Sequence, residues 1–383
     1  MSLLRAMRMA ASNDDELIAG LTTEITTWAS NTFGRGTTLL PIQPVRLRRN
    51  YSFMFRFWVA KPDGSRQPLL VKIPRKPSME TLQEVLESED LRAEARREFE
   101  ILEAISLVVE KANQPELCSI RALVFFPGFN AIVMEELQLR MLKEFYPKLF
   151  IVTGNPKRWQ TFETLLGLAG RWLRIFHEAF GSERMESLAQ LDVWKQVETE
   201  LGRLEAVLDR SLVDLRAKFL ATYKEMENVK MPVAALHKDY HLGNIFVTTD
   251  GKVGVLDPNW QERGSIYEDL ARIMLDSSTR KAQVLSRGLY FHPRLVQRYE
   301  EALLNGYQDS RNFDRRLLYF YCALATLTKW RMNEEKLRNT HLRRVFPGMS
   351  VLRHMIRGYF LNLVESYLKR TLRQAVYRGY QVE

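Results

Sequence analysis

The run His237-Lys-Asp-Tyr-His-Leu-Gly-Asn-Ile-Phe-Val247, answered by Gly254-Val-Leu-Asp257, constrains this chain more than any other stretch. Ile245–Val247 and Val253–Leu256 are short apolar, β-prone runs, and the Asp250-Gly251 pair between them is a strong hairpin turn signal. A hairpin turning there brings Asn244 and Asp257 back together at its open end. Two oxygen ligands then sit side by side, which suits a hard cation such as magnesium. Asp239 falls in the loop that leads into the first strand.

Phosphoryl transfer uses this set of groups. It needs one carboxylate beside the accepting hydroxyl, and an amide with a second carboxylate to hold metal on the nucleotide phosphates. An isolated Asp-x-x-x-x-Asn spacing would carry little weight. Here the turn, the apolar arms and both oxygen ligands agree.

On these residues, His237-x-Asp239-x-His241-x-Gly243-Asn244 followed by Leu256-Asp257, the chain resembles the aminoglycoside phosphotransferase and choline kinase-like family of the protein-kinase-like superfamily. Gly264-Ser-Ile-Tyr-Glu-Asp269-Leu-Ala resembles that family's Gly-Asp-Pro-x-x-Asp-Leu-Ala stretch. The motifs match closely over 237–271 and loosely over about 40–340. The resemblance implies an α+β, bilobal protein-kinase-like fold, with a small antiparallel-sheet lobe and a larger, mainly helical lobe. It implies ATP, or GTP, and magnesium as cofactors. It assigns Asp239 to catalysis and Asn244 and Asp257 to the metal, with Asp269 bracing the catalytic loop without doing chemistry. His237 and His241 are read as support for the loop, His241 alternatively lining the acceptor site. The expected divisions are a helical extension over 1–35, a nucleotide-binding lobe over 36–136 and a catalytic lobe over 137–383. The last contains the catalytic hairpin, 237–260, and a basic helical acceptor region, 281–383.

The other parts of such a site lie upstream. Leu69-Leu-Val-Lys72-Ile is a β-run with a single Lys, which the fold needs for the nucleotide phosphates and which a helical Glu must hold. Leu91, Ala95, Phe99 and Leu102 form one helical face, with Glu94 and Glu98 one turn apart on another. Glu98 is the favoured partner of Lys72, and Glu94 the fallback. Ala131-Ile-Val-Met-Glu-Glu-Leu137 reads as a buried strand, and the resemblance makes 134–138, marked by Glu135 and Leu137, the backbone segment that binds the adenine. His177, at the end of a helix resembling the family's, is read as structural.

Two departures from the family stand out. No glycine lies between Gly36 and Gly64, so the cover over the phosphates, expected at the Asn50-Tyr-Ser52 turn, must rest on Ser52 and neighbouring N–H groups. After Asp257 the family places an aromatic and then another acid. This chain has Pro258-Asn259-Trp260, and Asn259 brings no charge to a second metal site.

With 383 residues, 46% of them hydrophobic, the chain can fill two cores. Only Cys118 and Cys322 are present, which suits a reducing, cytoplasmic setting without disulfides. The Ser12-Asn-Asp-Asp-Glu16 stretch reads as a helix start, giving an added helix over 13–32. Residues 281–383 hold 19 Lys and Arg against 8 Asp and Glu, a balance of +11 against −1 for the rest, so the whole net charge of +10 lies there. Arg343, Arg344, Arg353, Arg357, Lys369, Arg370 and Arg373 recur near its apolar positions.

A basic acceptor lobe suits an anionic small molecule and disfavours a polycationic aminoglycoside. The expected acceptor is a hydroxyl of a small molecule, first a sugar or saccharide, anionic or lipid-linked. A nucleotide-binding scaffold without turnover, or an aminoglycoside- or protein-directed kinase, are the alternatives. The 351–373 helix has the basic amphipathic character that also suits peripheral contact with an anionic membrane. No nucleic-acid partner is expected, because no binding motif accompanies the charge.

Overall fold

The computed structural model describes residues 3–40, 45–48, 51–146, 156–258, 263–290, 293–308, 313–339 and 349–379. They form two compact units, one of Met1–Gln114 with Cys118–Gln138 and one of Leu139–Glu383 with Pro115–Leu117. The α+β, bilobal architecture expected from the sequence is present: a small antiparallel-sheet unit and a larger helical one.

The small unit is a six-stranded antiparallel sheet built from β1 (Thr38–Leu39), β2 (Val45–Arg48), β3 (Ser52–Ala60), β4 (Arg66–Pro74), β5 (Ala122–Phe126) and β6 (Ala131–Glu135). Strand alternation gives it two different faces. Phe53, Phe55, Phe57 and Val59 of β3 point to one side with Leu69, Val71 and Ile73 of β4. That side is covered by α1 (Leu3–Phe33), through Leu21, Ile25 and Ala29, and by α2 (Leu82–Leu86). The other side, with Leu70, Ile132 and Met134, receives Ala95, Phe99 and Leu102 of α3 (Glu89–Lys111). Ser88 caps α3 by accepting from Leu91 N–H at 3.4 Å.

The N-terminal helix therefore differs from the expected extension. It begins by Leu3, and residues 12–16 lie inside it. Asp14 does not start this helix. Its carboxylate accepts from the N–H of Leu82, at the head of α2, at 2.9 Å. The helix is part of the small unit's core because the apolar face of β3 and β4 would otherwise be bare.

The large unit opens with β7 (Leu139–Met141), α4 (Pro156–Ala179), β8 (Gly181–Ser187), α5 (Val193–Leu208), α6 (Val213–Lys224) and β9 (Lys230–Ala235). The predicted hairpin follows as β10 (Ile245–Thr248) and β11 (Val253–Val255), with Ile245 opposite Val255 and Val247 opposite Val253. β7 pairs with β10, and β12 (Arg263–Ser265) pairs with β9. Then come α7 (Tyr267–Ser278), α8 (Lys281–Leu285), α9 (Pro293–Tyr307), α10 (Arg315–Asn339) and α11 (Met349–Gly379).

Glycines let α4 and α9 meet backbone to backbone: a Cβ on Gly306 would stand 1.8 Å from the carbonyl oxygen of Gly167. α10 is buried along much of its length, with Leu317, Leu318, Phe320, Cys322 and Leu327 wholly enclosed. Among the described residues, no helix is long and apolar enough to cross a membrane.

Candidate active site

In the small unit, β4 presents Lys72 on the face that α3 covers, opposite Met54 on one side and Ile132 on the other. Its Nζ donates to Glu98 Oε1 at 2.5 Å. Glu98 is half-buried, whereas Glu94, one turn earlier, is exposed. The helical phase of α3 decides between them, because Glu98 stands three residues after the buried Ala95 and four before the buried Leu102, on the side that faces the sheet.

Ser52 is not on the turn. It opens β3 opposite Pro74 and is buried, while Tyr51 before it is 72% exposed. Glu135 ends β6, its N–H donating to Arg121 O at 3.1 Å, and Leu137 follows half-buried. The sequence reading missed Arg56 on β3, whose guanidinium clamps both oxygens of Glu136, at 2.9 and 2.6 Å from Nε. The acid between two assigned backbone positions is thus tied to the sheet. An alternating strand with one charged member was the available signal.

In the large unit the loop 237–244 is fixed from below by Asp269. This carboxylate is fully buried at the start of α7. It accepts from His237 N–H at 2.6 Å and from Lys238 N–H at 2.9 Å, and His177 Nε2 lies 3.2 Å away. Burial alone would raise its pKa, but the His177 hydrogen bond, the nearby imidazoles and the His237 N–H together hold it below the usual carboxylate range. The His177 Nδ1 is 2.9 Å from the Tyr307 hydroxyl.

Lys238 has φ +64°, a backbone state that L side chains rarely adopt, and the Asp269 bond holds it there. Tyr240 pins the next turn of the loop by donating to Ala169 O at 2.6 Å.

The histidines order the loop from within. His237 Nδ1 accepts from Asp239 N–H at 3.3 Å, so its Nε2 carries the proton and donates to Leu256 O at 3.0 Å. One imidazole thus links the loop to the strand end that carries Asp257. Burial pushes its pKa down, against the nearby charge of Asp269. His241 Nδ1 accepts from Gly243 N–H at 2.9 Å, which leaves Nε2–H toward Asp239 Oδ2 at 3.5 Å. Gly243 is required there, because a Cβ would come within 2.7 Å of that ring.

Asp239 itself is open, its side chain 62% exposed. Asn244 Nδ2 donates to its carboxylate at 2.9 Å and to its carbonyl at 3.1 Å. The His241 hydrogen bond leads, burial opposes it, and the His241 charge and Asn244 add to it, so the Asp239 pKa falls to about 2.

Leu256 N–H donates to Asn244 O at 2.7 Å, which closes the hairpin and sets Asp257, at φ +49°, one residue beyond the bonded partner of Asn244. With Nδ2 turned to Asp239, the Oδ1 of Asn244 is its remaining ligand atom. An amide oxygen and a carboxylate are hard donors, too few for an all-protein cage and suited to magnesium that keeps phosphate and water ligands. Among the described residues no group of three or more His, Cys, Asp or Glu could hold a metal ion. Asn259, and Arg343 and Arg344 of the basic region, lie outside the described residues.

The basic C-terminal quarter is less of a binding face than its composition suggests. Arg357 clamps the buried Glu334 at 3.0 Å, and Arg370 clamps the buried Glu300 at 2.6–3.0 Å while covering the Tyr319 ring. Arg353 donates to Leu337 O at 2.5 Å. Lys369 and Arg373 are exposed. The apolar face of 351–373, suited by sequence to a membrane surface, is instead packed into the protein through Ile356, Tyr359, Phe360, Val364, Tyr367 and Leu368.

A model of the phosphotransferase enzyme family matches residues 46–316. No curated protein matches the chain. Among solved structures, a candidate aminoglycoside phosphotransferase from Ralstonia eutropha shares the fold with TM-score 0.55 at 13% identity, over 91% of this chain and 98% of that one. A choline/ethanolamine kinase family protein from Mesorhizobium loti aligns with TM-score 0.46 at 15% identity, over 87% of this chain and 92% of that one. At 13% identity the likeness to the first of these is one of fold.

Proposed function

The chain belongs to the phosphotransferase enzyme family, and on that premise we propose that it moves the γ-phosphoryl group of ATP to a hydroxyl of a small molecule, a sugar or saccharide first. The observation that carries this reading is the loop itself. Asp269 clamps its backbone, and that clamp sets Asp239 against Asn244 at 2.9 Å with Asp257 beside the bonded end of the hairpin.

In this reading the acceptor oxygen attacks the γ-phosphorus, the bond to the β–γ bridging oxygen breaks, and ADP leaves. Asp239 orients the hydroxyl and takes its proton. With its pKa near 2 the carboxylate is a weak base. That suits a loose transition state, in which the proton moves late and positioning dominates. Lys72, held by Glu98, orients the nucleotide phosphates. Asn244 and Asp257 would hold magnesium, which when bound neutralises charge on the phosphate oxygens. A reducing, cytoplasmic setting belongs to the same proposal.

The test is incubation of the full chain with γ-labelled ATP and magnesium against neutral sugars, acidic sugars, amino alcohols and aminoglycosides, read as mass gain of one phosphate. We expect product from the unmutated protein, reduced at least about 100-fold by Asp239→Asn with the melting temperature unchanged. Nucleotide binding without turnover on any acceptor would replace this reading with a scaffold. Label on a protein would replace it with a protein kinase.

A further inference from the structure

We propose that the Arg56–Glu136 ion pair fixes the base end of the nucleotide site in the small unit and sets its choice between ATP and GTP, an inference that rests on the phosphotransferase reading.

The sheet register places the pair. In the order β3-β4-β6, Met54, Lys72 and Ile132 form one row across the strands, and Arg56, Leu70 and Met134 form the next. Residues two apart on a strand share a face, so both rows lie on the face that carries Lys72. The opposite face is closed by α1 and α2. On the Lys72 face, Ile132 and Met134 are buried under α3, whereas Met54, Arg56, Leu70 and Lys72 are half-buried. A strip of β3 and β4 therefore stays partly open beside the Lys72–Glu98 pair.

The strip has the dimensions of a nucleotide. Its two rows are about 7 Å apart along the strands. With the phosphates at Lys72, the base falls on the Leu70 row, toward the end where Leu69 pairs with Glu135.

Arg56 is the only charged residue of β3. Its partner stands one residue past the end of β6, and β4 lies between the two strands. The guanidinium spans that gap. Its Nε is 2.9 and 2.6 Å from the two oxygens of Glu136, and Nη2 also donates to Oε1. Lys72 and Arg56 are thus each held by a carboxylate from beyond the strand pair, Glu98 for one and Glu136 for the other.

The first tether aims Lys72 at phosphate. The second acts at the other end of the strip. It holds the middle of segment 135–137, the backbone that the family resemblance assigns to the adenine, and stands a planar bidentate pair at the edge of the Leu70 row. A backbone fixed before binding does not have to be ordered by the ligand. It also presents one donor and acceptor pattern, and adenine and guanine differ there, with an amino donor on one and a carbonyl acceptor on the other. Arg56 acts through Glu136 and is a positioning residue.

The experiment uses the full chain, unmutated and as Arg56→Gln, Glu136→Gln, Arg56→Lys and the exchange of Arg56→Glu with Glu136→Arg, with melting temperatures compared first. Equilibrium binding of ATP, GTP and inorganic tripolyphosphate is measured with magnesium. We expect the unmutated chain to bind ATP more tightly than tripolyphosphate. Arg56→Gln and Glu136→Gln should each weaken ATP by about tenfold, leave tripolyphosphate within about twofold, and narrow the ratio between ATP and GTP. Arg56→Lys and the exchange should restore part of the loss. For any acceptor that turns over, KM for ATP should rise while KM for the acceptor stays the same.

Equal losses for ATP and tripolyphosphate, or no loss, overturn the proposal, because a merely structural pair acts on both ligands or on neither. Turnover with that result leaves the phosphotransferase reading standing. A base-selective loss in a chain that phosphorylates nothing does the reverse. An unmutated chain that binds neither nucleotide overturns both.

Discussion

Asp269→Asn is nearly isosteric and removes one charge from the fully buried foot of the catalytic loop. The carboxylate receives two backbone N–H groups, at 2.6 and 2.9 Å, and faces His177 at 3.2 Å. An asparagine can keep its oxygen at the Oδ2 position and retain His237 and His177. Its NH2 then faces the Lys238 N–H, donor against donor, and Lys238 at φ +64° has no easy alternative. Two hydrogen bonds to a charged group become neutral ones, at about 1 kcal/mol each, and one buried N–H is orphaned, at about 1–3 kcal/mol. Returning a buried charge to water would offset this if the charge were poorly paired. The lowered pKa of Asp269 shows that its partners outweigh its burial.

The expected loss is therefore about 3–5 kcal/mol, a large share of a domain's stability. Urea unfolding followed by tryptophan fluorescence reads it, since the Trp172 and His237 rings lie 6.4 Å apart. Turnover should fall with stability, because the displaced N–H groups belong to the two residues before Asp239. A loss below about 1 kcal/mol with unchanged turnover would refute the clamp.

Two further predictions use the same packing. His237 has a lowered pKa in the fold, so below the ordinary value of about 6.5 the unfolded chain takes up the proton first, and stability falls as pH drops through that value. Asp269, also lowered, adds a second loss below about 4. The melting temperature should decline from pH 7 to 5, with a shallower slope in His237→Gln; equal slopes would count against the buried neutral imidazole. Helical glycines should split in sign. Gly306→Ala forces a methyl to 1.8 Å from Gly167 O and should cost more than about 3 kcal/mol, because backbone must move. Gly202→Ala in α5, with nothing within 4 Å, should stabilise by about 0.5–1 kcal/mol. Denaturant midpoints of the two variants check both.

How much was legible follows from the range of each interaction. The hairpin was readable because an Asp-Gly turn between two short β-prone arms is a local decision, and its register then sets Asn244 near Asp257. Lys72 could be found as the single charge in the apolar run Leu69–Ile73. Choosing Glu98 over Glu94 needed the phase of α3 against the sheet, and the sequence could only rank them.

The expected helix start at Ser12 failed for a related reason. A capping signal describes local hydrogen bonding, while Asp14 found its N–H donor 68 residues away, in α2. Composition located the excess charge of the basic quarter without showing which of its side chains display it. Residues 281–383 do carry the excess charge, but Arg357 and Arg370 are committed to buried glutamates. Counting charges cannot show which of them are already paired.

Sequence alone determined the family, the two-lobed α+β architecture and the spacing of Asp239, Asn244 and Asp257, because all three rest on local pattern. Tertiary structure decided what holds those groups and what surrounds them. Asp269 reaches the loop across 32 residues, His177 reaches Asp269 across 92, and α1 closes a sheet face whose strands lie far along the chain. Such contacts exist only once the chain is packed, when desolvation makes each buried polar group find a partner wherever the fold supplies one.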